Sequence, residues 1–405
     1  MANSIANISE GLTYIGRSFL KNLKSRNLLV KRTNVAYLKG WSYGQTFEIP
    51  SIDISGAAAT RAIGGAATAS DIISLTRTFT KQQIYKAVSI DNLQSLWASV
   101  DLMDKLSERL AYKVTKKADA IVAGLHVQVP YEAGTLDGTS CITPTATSDL
   151  FAPLNEALTI LANNNANMDG LLTAVFNPKE AGKMRAIPGL YKANESGSTD
   201  MLRRAEIGNI MGFDVLWSQH IEDATLAAAA DTASPGAVVG AHAANAKTLA
   251  VNGLGTGTVP AGTTFSIAGV VNDEGYAVRF AVTADATITT NAATLAINPP
   301  LPGAVADTTA VTFREHTAAG SMNLAFTQDA IASAWQGMAP FIEGTGVTVK
   351  SVVDEQTGLG VQIAMESHVL GGAGVAYSTD ISASMIFGAG VAVPEEIVKI
   401  VGQVK

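Results

Sequence analysis

The chain has 405 residues, of which 47% are apolar and only 16% are charged, with 28 Lys and Arg against 35 Asp and Glu. This length is enough for two or three domains with a sizeable core, and a single cysteine, Cys141, excludes a disulfide-stabilised scaffold. We find neither a long, strongly apolar run nor an N-terminal export signal, so we expect a soluble protein without a membrane span.

The first 40 residues are basic, in contrast to the rest of the chain. They contain seven Lys and Arg, including Arg17 and Lys21, against one acidic residue, Glu10, which leaves a net charge of about −13 elsewhere. Such an arm suits contact with a polyanion or an acidic partner surface. The alternative is an ordinary amphipathic helix with a solvated face, because apolar residues recur at helical spacing over Leu12–Leu23. No zinc spacing or aromatic RNA-binding signature accompanies the arm, so we do not expect sequence-specific nucleic-acid binding.

Several stretches of residues 33–90 alternate between apolar and polar side chains, which predicts β-strands. Between them lies Ser55–Ser70, a Gly- and Ala-rich segment that is unusually long for a loop inside a compact domain. The segment is either disordered or ordered by another molecule. We expect a long hairpin arm with this segment as its flexible tip.

A long helix is the clearest predicted element. Asp91 and Gln94 form a capping-box-like start, and apolar residues then recur every three or four positions as far as Leu125. A helix from Asp91 to about Leu125 would be roughly 50 Å long. A coiled coil is the alternative, but the apolar positions do not keep a strict heptad.

The elements that follow indicate a mixed fold. Helices are predicted at Leu150–Asn163 and Lys179–Ala186, and strands at Leu171–Phe176 and within Ala205–Ser218. Strands and helices do not alternate as repeated βαβ units do, so the fold class is α+β, without a doubly wound sheet.

The composition then changes abruptly. Glu222–Asn245 is Ala-rich and aperiodic, which is typical of a linker. Ala246–Ala318 has eight charged residues in 73 and many short alternating stretches, which predicts a small inserted β-barrel or sandwich. Helical periodicity returns at Thr327–Gly337, and strands follow after Thr348.

The sequence lacks the residue patterns of catalytic or metal-binding sites. None of the five histidines has metal-ligand spacing, and the best metal candidate, His220 with Glu222 and Asp223, is weak. Cys141 has no local base, and the glycine clusters do not open a phosphate-binding helix. We therefore expect no catalytic residue, no metal and no cofactor, and a structural role rather than an enzyme.

Four segments carry a resemblance to a known family. Gly208–Ser218 reads GNIMGFDVLWS and Asn323–Ala330 reads NLAFTQDA, and both follow the predicted hairpin and long helix. Together they resemble the major capsid proteins of tailed bacteriophages, particularly the short-tailed-phage coat type with an inserted β domain. Gly262–Pro300 is similar to that insertion, and Val393–Val398 is similar to the usual end of the fold. The resemblance spans nearly the whole chain.

The resemblance implies the α+β tailed-phage capsid fold of the Hong Kong phage type. It divides the chain into an N-terminal arm (1–32), an extended hairpin loop (33–90), a peripheral domain with a spine helix at 91–125 and the start of the axial domain (91–221), a linker (222–245), an inserted β domain (246–318) and the remaining axial and peripheral segments (319–405).

The implied function is self-assembly into the hexamers and pentamers of an icosahedral shell around double-stranded phage DNA. The implied partners are other copies of the chain, a scaffolding protein, a portal, and DNA bound without sequence specificity, but no membrane. The implied location is the virion, assembled in the host cytoplasm. The alternative is a secreted or cell-surface adhesion or structural protein built on β modules. The residues expected to contact neighbouring copies are Arg61, Arg77, Phe79 and Lys81 in the hairpin, with Arg17 and Lys21 in the arm.

Overall fold

The computed structural model describes residues 15–22, 29–35, 46–54, 72–91, 102–134, 147–187, 208–224, 236–272, 274–314, 319–336, 347–353, 360–370 and 376–402. The chain divides into two compact units. The first comprises Met1–Phe47, Thr78–Val122 and Ala332–Gly390, and the second comprises Glu48–Arg77, Ala123–Ile331 and Val391–Lys405.

The described residues contain helices and many short strands. The helices are α1 (residues 15–22), α2 (Leu102–Ala123), α3 (Thr147–Asn163) and α4 (Pro178–Arg185). The first strands are β1 (Thr46–Ile54), β2 (Ile72–Thr80), β3 (Gln82–Asp91), β4 (Tyr131–Ala133), β5 (Leu172–Phe176), β6 (Asn209–Ile210), β7 (Phe213–Trp217) and β8 (Asp223–Ala224). The next are β9 (Gly236–Val238), β10 (Thr248–Asn252), β11 (Gly257–Val259), β12 (Thr264–Val271), β13 (Ala277–Val282), β14 (Ala286–Ile288), β15 (Ala292–Asn298) and β16 (Ala310–Phe313). The last are β17 (Gly320–Thr327), β18 (Ile331–Gln336), β19 (Val347–Val353), β20 (Gly360–Leu370), β21 (Ala376–Val391) and β22 (Ile397–Gly402).

In the first unit, a buried carboxylate on α2 fixes the N-terminal segment. Asp119 Oδ1 accepts hydrogen bonds from the backbone N–H groups of Leu29 (3.2 Å) and Val30 (3.4 Å). The hydroxyls of Thr33 and Ser333 lie 2.5 Å apart. Because Asp119 is only 3% exposed, it needs partners from the protein, and the N-terminal segment supplies them.

The sheet of the first unit is built around β21. Its order is β18-β21-β20-β19, and β3 also pairs with β21. The antiparallel register of β3 and β21 runs from Asp91 opposite Ser378 to Gln82 opposite Phe387. The rings of Trp335 on β18 and Phe387 on β21 have centroids 4.4 Å apart. The apolar residues of β21 therefore supply much of the core of this unit.

In the second unit, a seven-stranded sheet has the order β4-β22-β17-β5-β7-β6, with β8 paired to β17. The pairs β4–β22 and β5–β7 are parallel. Helix α3 buries Leu154 and Leu161 in the same apolar cluster as Phe213, Val398 and Ile400. The amphipathic stripe of α3 therefore covers one face of this sheet.

The second unit also contains a closed barrel, in the order β10-β15-β13-β12-β16-β9. Its interior holds Phe265, whose ring centroid lies 5.6 Å from that of Phe280 and 5.4 Å from that of Phe313. The chain leaves the seven-stranded sheet after β8 and returns at β17, and Ala224 on β8 pairs with Gly320 on β17. The two connections to the barrel therefore start side by side.

The barrel begins earlier than the sequence predicts. Its first strand, β9, lies at Gly236–Val238, inside the stretch predicted to be a linker. This three-residue strand pairs with both β10 and β16 and so closes the barrel. Its small residues give no alternating signal, and only the neighbouring strands make it a strand.

A separate two-stranded sheet consists of β1 and β2. These strands flank the Gly- and Ala-rich segment Ser55–Ser70, which lies outside the described residues. This pairing agrees with the predicted hairpin. The flexible tip predicted for Ser55–Ser70 remains a prediction.

The predictions for α3, α4 and β5 are confirmed to within three residues at each end. The long helix is confirmed over Leu102–Ala123, but its predicted start at Asp91 is wrong, and so is a second helical prediction. Asp91 does not cap the long helix but ends β3, and the described helix begins at Leu102, with residues 92–101 outside the described part. Where the periodicity predicts a helix over Thr327–Gly337, the chain forms a short 3-10 turn followed by β18. Both β3 and β18 pair with β21, so sheet formation outweighs the local helical preference.

Gly390 on β21 makes room for the ring of Phe79, which is 6% exposed. A Cβ at position 390 would overlap ring atoms of Phe79. We expect Gly390→Ala to lower the free energy of unfolding by about 1–3 kcal/mol, because crowding a packed core costs that much. Urea unfolding of the unassembled chain, followed by circular dichroism, measures the change.

Gly182→Ala is the matched control. Gly182 lies within α4, and nothing lies within 4 Å of a Cβ added there. Alanine is favoured over glycine in helices by up to about 1 kcal/mol, so this variant should be at least as stable as the wild type. If both variants unfold at the wild-type urea concentration, the close contact between Phe79 and Gly390 is wrong.

Candidate functional site

Two of the predicted contact residues lie on α1. Arg17 and Lys21 are exposed and one helical turn apart, while Phe19 and Leu20 are buried. This is the amphipathic helix that the apolar spacing predicts, with its cations in solvent. Contact of these two cations with a neighbouring copy remains a prediction.

Arg77, on β2, makes a contact within its own chain. Its guanidinium donates a hydrogen bond to the carbonyl of Ala392. Burial lowers the pKa of Arg77, and the carboxylate of Glu395 opposes that shift. The side chain is thus partly withdrawn from any surface that meets a partner.

The other predicted hairpin residues lie in different surroundings. Phe79 packs against Gly390 and belongs to the core of the first unit, so it is not exposed in this structure. Lys81 is half-buried, between β2 and β3. Arg61 lies outside the described residues.

The second unit contains an extensive polar cluster that sequence patterns did not predict. Glu132 on β4 and Lys399 on β22 face each other in the parallel register of these strands. Lys399 Nζ lies 3.3 Å from Glu132 Oε2 and also donates a hydrogen bond to the Gly262 carbonyl. Both charged side chains are 0% exposed. Burial lowers the pKa of Lys399, and the Glu132 carboxylate opposes that shift.

The barrel supplies the remaining partners of Glu132. Thr264 Oγ1 donates a hydrogen bond to Glu132 Oε2 (3.0 Å), and Arg314 Nε lies 3.6 Å from Oε1. The backbone carbonyl of Glu132 accepts hydrogen bonds from Nη1 of Arg314 (2.9 Å) and Nη1 of Arg279 (3.2 Å). One residue of β4 therefore receives three side chains from the barrel.

Further contacts at the edge of this cluster strengthen the same junction. Arg314 Nη2 donates to the carbonyl of Gly134 and lies 3.8 Å from Glu156 Oε1 on α3. Glu156 in turn accepts a hydrogen bond from the Gly134 N–H (2.8 Å). On the other side, Asn298 Nδ2 donates to the carbonyl of Gln128 (2.6 Å). The barrel and the seven-stranded sheet are thus joined by directed hydrogen bonds.

This cluster holds parts of the protein together, and its central ion pair is closed to a substrate, because Glu132 and Lys399 are fully buried. Among the residues that the structure describes, no group of His, Cys, Asp and Glu side chains is arranged to hold a metal, and the His220 candidate belongs to none. No described helix combines the length and the apolar character needed to cross a membrane.

The sequence contains two weak signals of the cluster. Lys399 is the only charged residue in β22, an otherwise apolar and fully buried strand. Arg279 and Arg314 are the only arginines in the predicted β module. A lone charge in a buried strand requires a partner, but the sequence does not say which residue it is.

The motif that begins at Asn323 has a structural role. Asn323 Oδ1 accepts a hydrogen bond from the backbone N–H of Asn177 (2.9 Å), and the Asn177 side chain caps α4 by accepting one from the Glu180 N–H (2.7 Å). All three residues are fully buried. The motif therefore fixes the start of α4 against β17.

We expect Glu132→Gln to destabilise the unassembled chain by about 3–5 kcal/mol. The substitution leaves Lys399 buried without its counter-charge, and breaking a buried pair from one side has this cost. Urea unfolding measures the change.

Two further variants make the result specific. Glu156→Gln should cost at most about 1 kcal/mol, because the Glu156 side chain is 45% exposed. Adding Lys399→Met to Glu132→Gln should restore part of the lost stability, because no buried charge then remains unpaired. Equal effects of Glu132→Gln and Glu156→Gln would contradict the importance of the enclosed pair.

His126 makes stability depend on pH. Burial lowers its pKa from 6.5 to about 4, and the nearby charge of Lys399 adds to this, although the Ala123 carbonyl 3.2 Å from Nδ1 opposes it. Between these pH values the unfolded chain binds a proton that the folded chain does not. Stability should therefore fall by about 3 kcal/mol as the pH drops from above 6.5 to 4.

His126→Gln removes this contribution. Unfolding curves in urea at several pH values between 7 and 4 should show a steeper acid loss for the wild type than for the variant. Parallel pH profiles for the two proteins would show that His126 titrates normally in the folded state.

Solved phage structures are similar to this chain over most of its length. A structure from Mycobacterium phage Che8 has a TM-score of 0.49 at 15% identity and covers 93% of this chain and 91% of its own. The capsid of cyanophage P-SCSP1u has a TM-score of 0.49 at 12% identity, with 93% and 88% covered. The capsid of Ralstonia phage GP4 has a TM-score of 0.44 at 8% identity, with 90% and 85% covered. No protein-family model and no curated protein matches the sequence.

Proposed function

We propose that this chain is the major capsid protein of a tailed bacteriophage, a structural and non-enzymatic subunit that assembles with copies of itself into a closed shell. The order of its motifs along the chain supports this family. The observation that carries the proposal is the separate two-stranded sheet of β1 and β2.

In the described part of the chain, β1 and β2 pair with each other and with no other strand. A lone two-stranded sheet is marginally stable in water. The connecting residues 55–71 are rich in Gly and Ala and contribute little large apolar surface. A second copy of the chain supplies the missing surface, by strand and side-chain contacts along the pair. The subunit thus completes its fold in the assembly.

Repeated contacts between unlike surfaces of identical copies then form hexamers and pentamers, which close into an icosahedral shell. Each contact is weak alone, and the closed shell is stable because every subunit makes many of them. Arg61, Lys81 and the exposed cations of α1 meet neighbouring copies, whose surfaces are acidic because the chain beyond residue 40 has a net charge of about −13.

The shell encloses double-stranded DNA without reading its sequence, in the virion, after assembly in the host cytoplasm. A scaffolding protein and a portal act during assembly. The acidic body of the subunit suits a container from which DNA must leave, because it binds phosphates weakly. In domain terms, residues 1–32 are the arm, 33–90 the extended loop, and the barrel the inserted domain, with the remaining segments forming the peripheral and axial domains.

Deleting residues 56–68 tests the proposal. We expect the unassembled variant to keep the wild-type circular dichroism spectrum and urea midpoint, because the segment joins two strands that pair with no others. Sedimentation velocity should show that capsomers and shells are lost or strongly reduced.

A variant in which residues 56–68 are replaced by a Gly-Ser linker of equal length is the matched control for loop length. It should assemble as poorly as the deletion, since the contacts of the tip are missing in both. Loss of the helical circular dichroism signal in the deletion variant, or normal assembly of either variant, would contradict the proposed role of the sheet of β1 and β2.

A further inference from the structure

The barrel has an open cleft on the side that faces β4. The cleft has a volume of about 280 Å³ and crosses three neighbouring strands, β13, β12 and β16. Arg279, Ser266 and Thr312 stand opposite one another in the registers of these strands. Its lining residues are Thr264, Phe265, Ser266, Arg279, Thr312, Phe313 and Arg314. None of these side chains is acidic, so the cleft is lined by two guanidiniums, three hydroxyls and two aromatic residues.

Arg279 is fixed by a hydrogen bond that engages only one of its guanidinium donors. Its one hydrogen bond to the described residues goes from Nη1 to the carbonyl of Glu132. A guanidinium has five N–H donors, so Arg279, which lines the cleft, has donors left for a further partner. Burial lowers the pKa of Arg279 and the charge of Arg314 lowers it further, whereas Glu132, Glu156 and Tyr131 oppose the shift. Two cations that repel each other at the wall of a cleft favour an anion between them.

The balance of charges where the barrel meets β4 also favours an anion in the cleft. Arg279, Arg314 and Lys399 are three cations, and the carboxylates that face them are Glu132 and Glu156. Glu132 already binds Lys399 and Thr264. One positive charge is therefore in excess where the cleft opens.

We infer that this cleft binds one oxyanion group, a phosphate or a carboxylate, between the guanidiniums of Arg279 and Arg314. Arg279 offers the planar pair of donors that such groups accept, and the hydroxyls of Ser266 and Thr312 complete the site. The site does not depend on the proposed capsid function. Only one source of the ligand, an acidic side chain of a second copy, does so.

Inorganic phosphate is the probe. Titrated into the unassembled chain at constant ionic strength, it should raise the melting temperature in a saturable way, because a ligand that binds only the folded state stabilises it. Arg279→Gln should lose the saturable part of the shift. Arg185→Gln is the matched control, since Arg185 lies over the ring of Trp217 in the same unit and does not line the cleft, and it should keep the whole shift.

Phosphate also stabilises proteins without binding to a site, but that effect is the same for all three proteins. An equal shift in the wild type and Arg279→Gln, or no saturable shift in the wild type, would overturn the inference.

Ser266→Asp tests the site without removing an arginine, in case Arg279→Gln does not fold. Position 266 is directly opposite Arg279 on the neighbouring strand, so the new carboxylate takes the place of the bound anion. This variant should melt above the wild type in the absence of phosphate and should gain nothing saturable from it. A variant that melts lower and still responds to phosphate as the wild type does would contradict the site.

Assembly assays identify the source of the anion. If the ligand is a carboxylate of a second copy, phosphate should slow the assembly of the wild type, and Ser266→Asp should assemble slowly without phosphate. If the ligand is a free anion, phosphate should bind and leave the assembly rate unchanged. Either result supports the site, and the titrations above judge it independently of assembly.

Discussion

The enclosed ion pair of Glu132 and Lys399 is the constraint on which the second unit depends. Two buried charges need partners beyond each other, and the sheet alone does not supply them. The barrel adds a hydrogen bond from Thr264 to the Glu132 carboxylate and the guanidinium of Arg314 3.6 Å from its other oxygen, while Arg279 and Arg314 donate to the Glu132 backbone carbonyl. Because these bonds are directed, they fix how the barrel sits on the sheet, which apolar contact alone would not do. The side-by-side connections at β8 and β17 therefore contribute little to fixing the orientation of the barrel on the sheet.

The same junction connects stability with recognition. The arginines that satisfy Glu132 also line the cleft, so the group that stabilises the fold is the group offered to an anion. In contrast, β1 and β2 pair with no third strand among the described residues, and their described contacts with the rest of the chain are those of Arg77 and Phe79 at the end of β2. The second unit therefore combines a barrel that is fixed by charged side chains of the same chain with the sheet of β1 and β2, which we propose is stabilised by a neighbouring copy. Under the proposed function, the chain folds before assembly except at the sheet of β1 and β2, which contacts with a neighbouring copy complete.

Local patterns predicted much of this fold. The barrel strands β12 and β13 alternate strongly, and the apolar residues of α3 recur at helical spacing, so the sequence alone indicates these elements. Other elements depend on residues far away along the chain. Asp91 has the local features of a helix cap but pairs with Ser378, and the residues of β18 have helical spacing but pair with β21. The charge cluster was out of reach for the same reason, since nothing near Lys399 indicates that Glu132 lies opposite it.

The central claim is that this chain completes its structure by binding copies of itself. Negative-stain electron microscopy of the purified full chain, over a range of concentrations, tests it most directly. The account predicts shells, sheets or capsomers of uniform size that become more abundant as the concentration rises. A small monomeric particle that persists at the highest concentration would contradict it.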